Sequence, residues 1–306
     1  MTIAPPLSAL AGKTVVVTGA SDGVGKAAVR AFVQAGASVV MVGRNDAKTA
    51  AAAHEIMRDT GRRTVTWQIA DLSDQSAVRA LAHRLLATVP QIDVLVNNAG
   101  ALFLTRETTA DGHERTFALN HLSYVTLTLL LLPALSAAAR PGAPARVVCV
   151  SSRAHHNARP RLDDLQRTRD YTGWRQYADS KLYNIWFTRA LARRLDASRL
   201  VVQALHPGVV STRFATNNGR MGMLQRRIMD LISITPERGA DTAVWLATAD
   251  EGSRVSGQYW VKRRRVEPSR AAHDDAAGEL LWGASARLAA IDADQLIRDA
   301  GLHVLA

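Results

Sequence analysis

The segment Thr18-Gly19-Ala20-Ser21-Asp22-Gly23-Val24-Gly25 follows a short β-branched run and precedes a helical pattern. Its spacing is G-x-x-x-G-x-G. Glycines in such a place permit a tight turn and bring backbone N–H groups at a helix N-terminus close to a diphosphate. Taken alone, the loop also reads as a plain strand-to-helix turn. The second strand ends in Val42-Gly43-Arg44-Asn45, where a site for an unmodified ribose would carry an acid. Arg44 instead suits a ribose 2′-phosphate, with Asn45 beside it. That favours NADP(H) over NAD(H). The alternative is a solvated Arg44 with Asp46 doing the binding.

Tyr177 and Lys181 stand at i and i+4, so a helix would place them on one face. A phenol with a pKa of about 10 is a poor base at neutral pH. An ammonium beside it stabilises the phenolate and lowers that value. In isolation the same pair is an ordinary surface contact. His155 and His156 are adjacent and have no carboxylate cluster of ligand spacing near them, so no metal site is expected.

These residues need a scaffold, and the chain supplies one in pattern. The runs 14–18, 38–42, 64–69, 94–96, 146–150 and 201–204 are nearly continuously apolar, as strands buried on both faces would be. Helical spacing fills 25–35, 46–60, 74–88, 112–139 and 177–195 between them. Repeated βαβ units predict an α/β fold with a doubly wound parallel sheet. Asn45 and Ser73 are expected N-caps, and Gly36 and Gly61 are expected left-handed C-terminal residues. Residues 213–234 form a Met-rich, basic amphipathic insertion, followed by a helix at 236–247, a last strand within 256–261 and a C-terminal helical extension at 270–300. With no linker or repeat in view, residues 1–306 are expected to form one domain with a lid at 213–234.

The chain has 306 residues, 47% hydrophobic and 21% charged, which excludes disordered, collagen-like and disulfide-scaffold classes. Cys149 is the one cysteine, so no intramolecular disulfide or cysteine zinc site is possible. The net charge of +11 attracts anions such as nucleotides. The run Lys262-Arg263-Arg264-Arg265 reads as solvated, and no nucleic-acid-binding signature accompanies it. No apolar run is long enough to span a bilayer; the stretch 125–135 is too short and contains Pro133. The N-terminus lacks the basic start and apolar middle of a signal peptide, and a cytoplasmic location is expected.

Four further segments fall in order behind the glycine loop: Asp71-Leu72, Asn97-Asn98-Ala99-Gly100, Ser151-Ser152 and Tyr177 to Lys181. This set resembles the short-chain dehydrogenase/reductase family, over nearly the whole chain. The stretches 151–156 and 181–195 and His206-Pro207-Gly208 resemble its retinol dehydrogenase and protochlorophyllide reductase branch. The resemblance implies a Rossmann fold. It implies Tyr177 as acid/base, Ser152 (rather than Ser151) holding the substrate oxygen, and Lys181 on the nicotinamide ribose. It further implies Asn120 bending its helix and anchoring a proton-relay water. Gly19, Ser21, Asp22, Gly23, Val24 and Gly25 would cradle the diphosphate. Asp71 and Leu72 would meet the adenine, and Asn98, Ala99 and Gly100 the adenosine ribose, while Asn97 would tie neighbouring strands. Pro207, Gly208, Val209 and Thr212 would orient the nicotinamide. Asp71 also reads as a local helix cap, and Asn120 as a plain polar helix residue.

The expected activity is interconversion of a hydroxyl and a carbonyl by hydride transfer on a small hydrophobic substrate. The alternatives are a C=C reductase and a catalytically silent NADP-sensing regulator. The pocket is expected from loop 101–106, residues 153–174 and the insertion, whose Phe214, Met221, Met223, Leu224, Ile228, Met229 and Leu231 offer adaptable apolar surface. They read equally as ordinary core. The insertion's arginines give it a basic face that anionic lipid would attract, and the helices 112–139 and 177–195 are a possible homo-oligomer interface.

Overall fold

The computed structural model describes residues 8–208 and 234–302. Val209, Thr212 and residues 213–233 of the expected lid lie outside the described residues.

The apolar runs form strands: β1 Thr14–Thr18, β2 Ser38–Gly43, β3 Val65–Ile69, β4 Val94–Asn97, β5 Ala145–Val150, β6 Leu200–His206 and β7 Gln258–Val261. A two-residue β8, Arg264–Arg265, closes the edge antiparallel to β7. The sheet order is β3-β2-β1-β4-β5-β6-β7-β8, with the first seven strands parallel. The chain runs outward from β1 in one direction and then from β4 in the other. The strand order therefore reverses between β1 and β4, and open α/β sheets bind ligands outside the carboxyl ends of the strands at such a point.

Helices cover both faces. On one side lie α1 Gly23–Gln34, α2 Asp46–Thr60 and α7 Pro236–Thr248, which bury Val29, Phe32, Ile56 and Val244 against the sheet. On the other lie α3 Gln75–Thr88, a helix α4 spanning Arg115–Leu130, α5 Leu132–Ala138 set at 57° to α4, and α6 Gly173–Arg194. They bury Leu81, Leu127, Leu135 and Leu191. Asn45 caps α2 as expected, accepting from Lys48 N, and Gly61 ends it at φ 66°. Gly36 is also left-handed, at φ 94°.

Two expectations are corrected. Asp74, not Ser73, caps α3; its carboxylate accepts from Ser76 N and Ala77 N, while Ser73 donates to Asp71. Residues 112–139 are not one helix. Glu114 caps a first turn, residues Ala118–Leu122 are wound as a π-turn, and the chain restarts at Leu132 with Pro133, which has no N–H to continue the ladder. The C-terminal extension is helical as expected, made of a 3-10 turn Arg270–His273 and two helices, α8 Asp275–Leu288 and α9 Ala293–Asp299. Ala290 at φ 47° turns the chain between α8 and α9.

The extension lies on α6. Trp282 stacks on Phe187 at 6.0 Å, and Trp186 Nε1 donates to Ala271 O at 2.8 Å. Among the described residues no single helix is long and apolar enough to cross a membrane. The bent pair Arg115–Leu130 and Leu132–Ala138 matches a span by length and composition only, and its leucines are buried in the core.

Candidate active site

The glycine turn is held by close contacts. A Cβ on Gly19 (φ 64°) would stand 2.8 Å from Ala99 Cα, and one on Gly25 would stand 2.3 Å from Gly19 O. Side chains at either position would force the turn off the end of β4. Asn98 Nδ2 donates to Thr18 O at 2.8 Å and Gly19 O at 3.3 Å, so this side chain braces the turn. Asn97 ties neighbouring strands as expected, its Nδ2 reaching Cys149 Sγ of β5 at 4.0 Å, and it also ties β4 to α4 by donating to Thr128 Oγ1 at 2.8 Å. Asp22 caps α1 through Gly23 N at 2.8 Å and pairs with Lys48 Nζ at 2.7 Å.

A cleft runs along the carboxyl ends of β1 to β4. Gly19, Ser21, Gly43, Arg44, Asp71, Leu72, Ala99 and Gly100 line it, with Ala101 and Phe103 at its inner end. The cleft thus brings together seven of the residues expected to hold a dinucleotide. Val24 and Gly25 lie in the first turn of α1, and Asn45 is taken up in capping α2. Asp71 faces the cleft and accepts from Ser73 N at 2.9 Å, while the capping of α3 falls to Asp74. Gly43 was missed by sequence reasoning. A Cβ there would lie 2.0 Å from Thr49 Oγ1, and the signal was a glycine at a strand end. Arg44 is exposed and has no hydrogen bond or ion pair among the described residues, whereas Asp46 accepts from Trp67 Nε1 at 3.0 Å.

Beyond the cleft's inner end, α6 presents Tyr177 and Lys181, both buried, on the face toward β5. Gly173 is why α6 sits so close: a Cβ there would stand 2.3 Å from Phe103 O. Lys181 Nζ donates to Val150 O at 3.2 Å and reaches the end of β4, 3.3 Å from where a Cβ on Gly100 would be. Ser152 caps the short turn Arg153–Asn157, accepts from Ala154 N at 3.2 Å, and hydrogen-bonds the Tyr177 phenol. Ser151 turns the other way and donates to Lys181 O at 2.6 Å.

Asn120 sits inside the π-turn, fully buried. Its Oδ1 accepts from Ala101 N and its Nδ2 donates to Ala101 O, each at 2.9 Å, so it fastens the cleft loop to α4. The helix is wound there as a π-turn. The Asn120 carbonyl accepts from Asn184 Nδ2 at 2.9 Å, a partner the sequence did not signal.

Burial sets the protonation states. It pushes the Tyr177 phenol up to about 12, with Ser152 opposing, so the tyrosine holds its proton at neutral pH. The expected lowering by Lys181 does not prevail. Burial pushes Lys181 down to about 8, which leaves it mostly an ammonium at pH 7. A protonated phenol hydrogen-bonded to a serine, with an ammonium one helical turn away, can deliver a proton to a carbonyl oxygen.

Residues 13–221 match the family model described as short chain dehydrogenase. The chain belongs to the short-chain dehydrogenase/reductase family. It is 38% identical to human retinol dehydrogenase 12 over 282 residues, covering 92% of this chain and 88% of that one. A crystal structure of an uncharacterized protein from Mycobacterium paratuberculosis superposes with TM-score 0.74 at 32% identity, covering 94% and 96% of the two chains. The Pseudomonas aeruginosa RhlG/NADP active-site complex gives TM-score 0.66 at 27% identity, covering 83% and 96%. This short-chain dehydrogenase/reductase falls in the retinol dehydrogenase-like branch and is an NAD(P)-dependent oxidoreductase acting on CH–OH groups.

Its segment between Ser152 and α6 is strapped to α6. Arg167, itself left-handed at φ 46°, donates to Asp179 Oδ2 through Nε at 2.9 Å and Nη2 at 2.6 Å. Asp179 also accepts from Arg159 N at 2.7 Å. His155 and His156 belong to no metal-ligand group, and none occurs among the described residues. Pro207 and Gly208 follow β6 at the same carboxyl edge, with Gly208 at φ 94°.

Proposed function

We propose that the protein is an NADP(H)-preferring oxidoreductase that interconverts a hydroxyl and a carbonyl on a small apolar substrate, with Tyr177 as acid/base. The observation that carries this is the meeting of Ser152, Tyr177 and Lys181 beside a cleft that fits a dinucleotide. Gly19 and Gly25 fit the close approach of a diphosphate, because neither position tolerates a Cβ. Asp71 and Leu72 would meet the adenine, Ala99 and Gly100 its ribose, and Pro207, Gly208, Val209 and Thr212 the nicotinamide. A bound nicotinamide supplies or accepts the hydride.

The chain's own residues handle the proton. Ser152 Oγ holds the substrate oxygen, and the Tyr177 phenol gives it a proton in reduction or takes one in oxidation. The Lys181 ammonium stabilises the phenolate left behind. Asn120 keeps the loop after β4 in register, and the relay through its bent helix belongs to the same proposal.

Arg44 supports the coenzyme preference. Among the described residues Arg44 has no hydrogen bond or ion pair where it lines the cleft, while Asp46, two residues on, is engaged with Trp67. The relative RhlG is described as an NADP complex. Trp174 supports an apolar substrate: it is 46% exposed and stands edge-on to the Tyr177 ring at 6.4 Å. The relative's name, retinol dehydrogenase 12, directs the choice toward polyene and other long-chain alcohols and aldehydes.

The test follows reduced-nicotinamide absorbance with NADPH or NADH against aldehydes, ketones and enones. Oxidation of NADPH by apolar aldehydes or ketones is expected. Turnover of enones alone, or none with any carbonyl, removes the reading. A cytoplasmic location belongs to this proposal, and activity sedimenting with membranes after fractionation would overturn that part.

A further inference from the structure

His155 is buried to 1% exposure, although the chemistry above makes no use of it. Its Nδ1 lies 2.6 Å from Ser152 O, and its Nε2 accepts from Ser269 N at 3.0 Å. A carbonyl can only accept and a backbone N–H can only donate. The two contacts therefore fix the ring as the neutral tautomer with the proton on Nδ1. Ser152 O accepts a second bond, from His155 N at 3.2 Å, which occupies both lone pairs of that carbonyl. Ser152 is thereby held extended, at φ −161° and ψ 156°, with its hydroxyl toward Tyr177. The far end of the chain of bonds is also anchored. Ser269 opens the 3-10 turn Arg270–His273, and Ala271 O in that turn accepts from Trp186 Nε1 of α6. The edge of Tyr259 packs on the His155 ring at 5.0 Å.

We propose that His155 is a positioning residue for Ser152, by which the C-terminal segment after β8 sets the direction of the serine hydroxyl. This rests on the reading that Ser152 holds the substrate oxygen. Its consequence is a division of labour at the imidazole. The Nδ1–H bond to Ser152 governs turnover, and the Nε2 bond to Ser269 governs where the ring sits. Asparagine at 155 keeps a donor at the δ position and loses the ε acceptor. Glutamine keeps a polar group at the ε position and loses the δ donor.

The experiment uses the full-length protein with NADPH and an accepted carbonyl substrate, in wild type, Ser152→Ala, His155→Leu, His155→Asn, His155→Gln and the double variant Ser152→Ala/His155→Leu. Misplacing a catalytic group by about 1 Å can cost on the order of 100-fold in rate, so His155→Leu is expected to lose kcat on that scale with NADPH binding unchanged. In the Ser152→Ala background the same substitution should change kcat less than about twofold, because residues acting as a unit are non-additive. His155→Asn should retain more kcat than His155→Gln. Wild-type kcat in His155→Leu, or full additivity with Ser152→Ala, overturns the inference. If His155→Leu does not fold, the Asn and Gln pair decides: equal or reversed kcat overturns it. If Ser152→Ala itself turns over like wild type, the reading of Ser152 falls, and the positioning role falls with it.

Discussion

Lys181 Nζ stands 5.5 Å from the centre of the Tyr177 ring, and both side chains are enclosed between α6 and the ends of β4 and β5. Enclosure favours the neutral form of each, which pushes the phenol up to about 12 and the ammonium down to about 8. For a carbonyl reduction the active form needs the phenol protonated and the lysine charged. Raising the pH through about 8 removes the lysine charge first. The kcat/KM for reduction, which reports the free enzyme, is therefore expected to be level below that pH and to fall above it. A profile level to about pH 10, the ordinary lysine range, would remove Lys181 from the acid function.

Tyr177→Phe deletes one hydroxyl and keeps the ring that packs against Trp174. The glycine turn and the Arg44 end of the cleft are remote from that hydroxyl, so NADPH affinity should be nearly unchanged. Loss of a general acid costs about 100- to 10,000-fold in kcat. Stopped-flow turnover beside a cofactor titration separates the two quantities. Retention of more than about a tenth of wild-type kcat would count against the phenol as the proton donor.

Arg44→Asp reverses the charge at the ribose end of the cleft. A hydrogen bond to a charged group contributes about 1.5–3 kcal/mol, so the ratio of kcat/KM with NADPH to that with NADH should fall by roughly 10- to 100-fold. The carboxylate would accept from the ribose hydroxyls of NADH and repel a 2′-phosphate. An unchanged ratio would show that no 2′-phosphate meets Arg44.

The strap across α6 depends on a buried pair. Arg167 and Asp179 side chains are 3% and 1% exposed. Burial holds the Asp179 carboxyl above the usual range even with Arg159 and Arg167 opposing. Arg167→Met should destabilise by about 3–5 kcal/mol, because it strands the carboxylate, while replacing both partners by apolar residues should cost much less. Denaturant unfolding of the single and double variants measures this. Equal losses in the two would mean that the strap acts through packing alone.

The sheet was legible because strands buried on both faces leave uninterrupted apolar runs, and six of them fall within a residue or two of the observed bounds. The glycine turn and the Tyr177–Lys181 face were legible because their chemistry restricts residue type at fixed spacing. The interruption of α4 was hidden from the local pattern, and only the family resemblance pointed to Asn120. Leu119 to Leu132 is buried almost all round, polar residues included, and at the π-turn Asn120 is tied to Ala101 across the cleft, a contact no local pattern encodes. The same holds for the role of Asn98, decided by the approach of Thr18 and Gly19 from β1. The extended α6 start at Gly173 depends on Phe103, 70 residues earlier in the chain. Tertiary contacts of this kind override the weak preference of a single residue.

The last prediction concerns acid. His121, His155 and His206 are each held down to about 4 by burial. His121 bridges Asn184 on α6 and Ser285 on α8, at 3.2 and 2.9 Å, and His206 Nδ1 accepts from Arg153 N at 3.3 Å. In the unfolded chain these rings titrate near 6.5. Between about 6.5 and 4 the unfolded state therefore binds more protons than the folded one, so stability falls as pH falls through that window. Each ring contributes at most roughly 3 kcal/mol. Glu114 and Asp179, raised by burial, bind protons in the folded state at low pH and offset part of the loss. The melting temperature should hold steady between about pH 7 and 8 and decline progressively toward pH 4.5, with the decline shallower in His121→Asn, which keeps polar contact without a titrating ring. A melting temperature level down to pH 4.5 would mean that the buried histidines do not resist protonation.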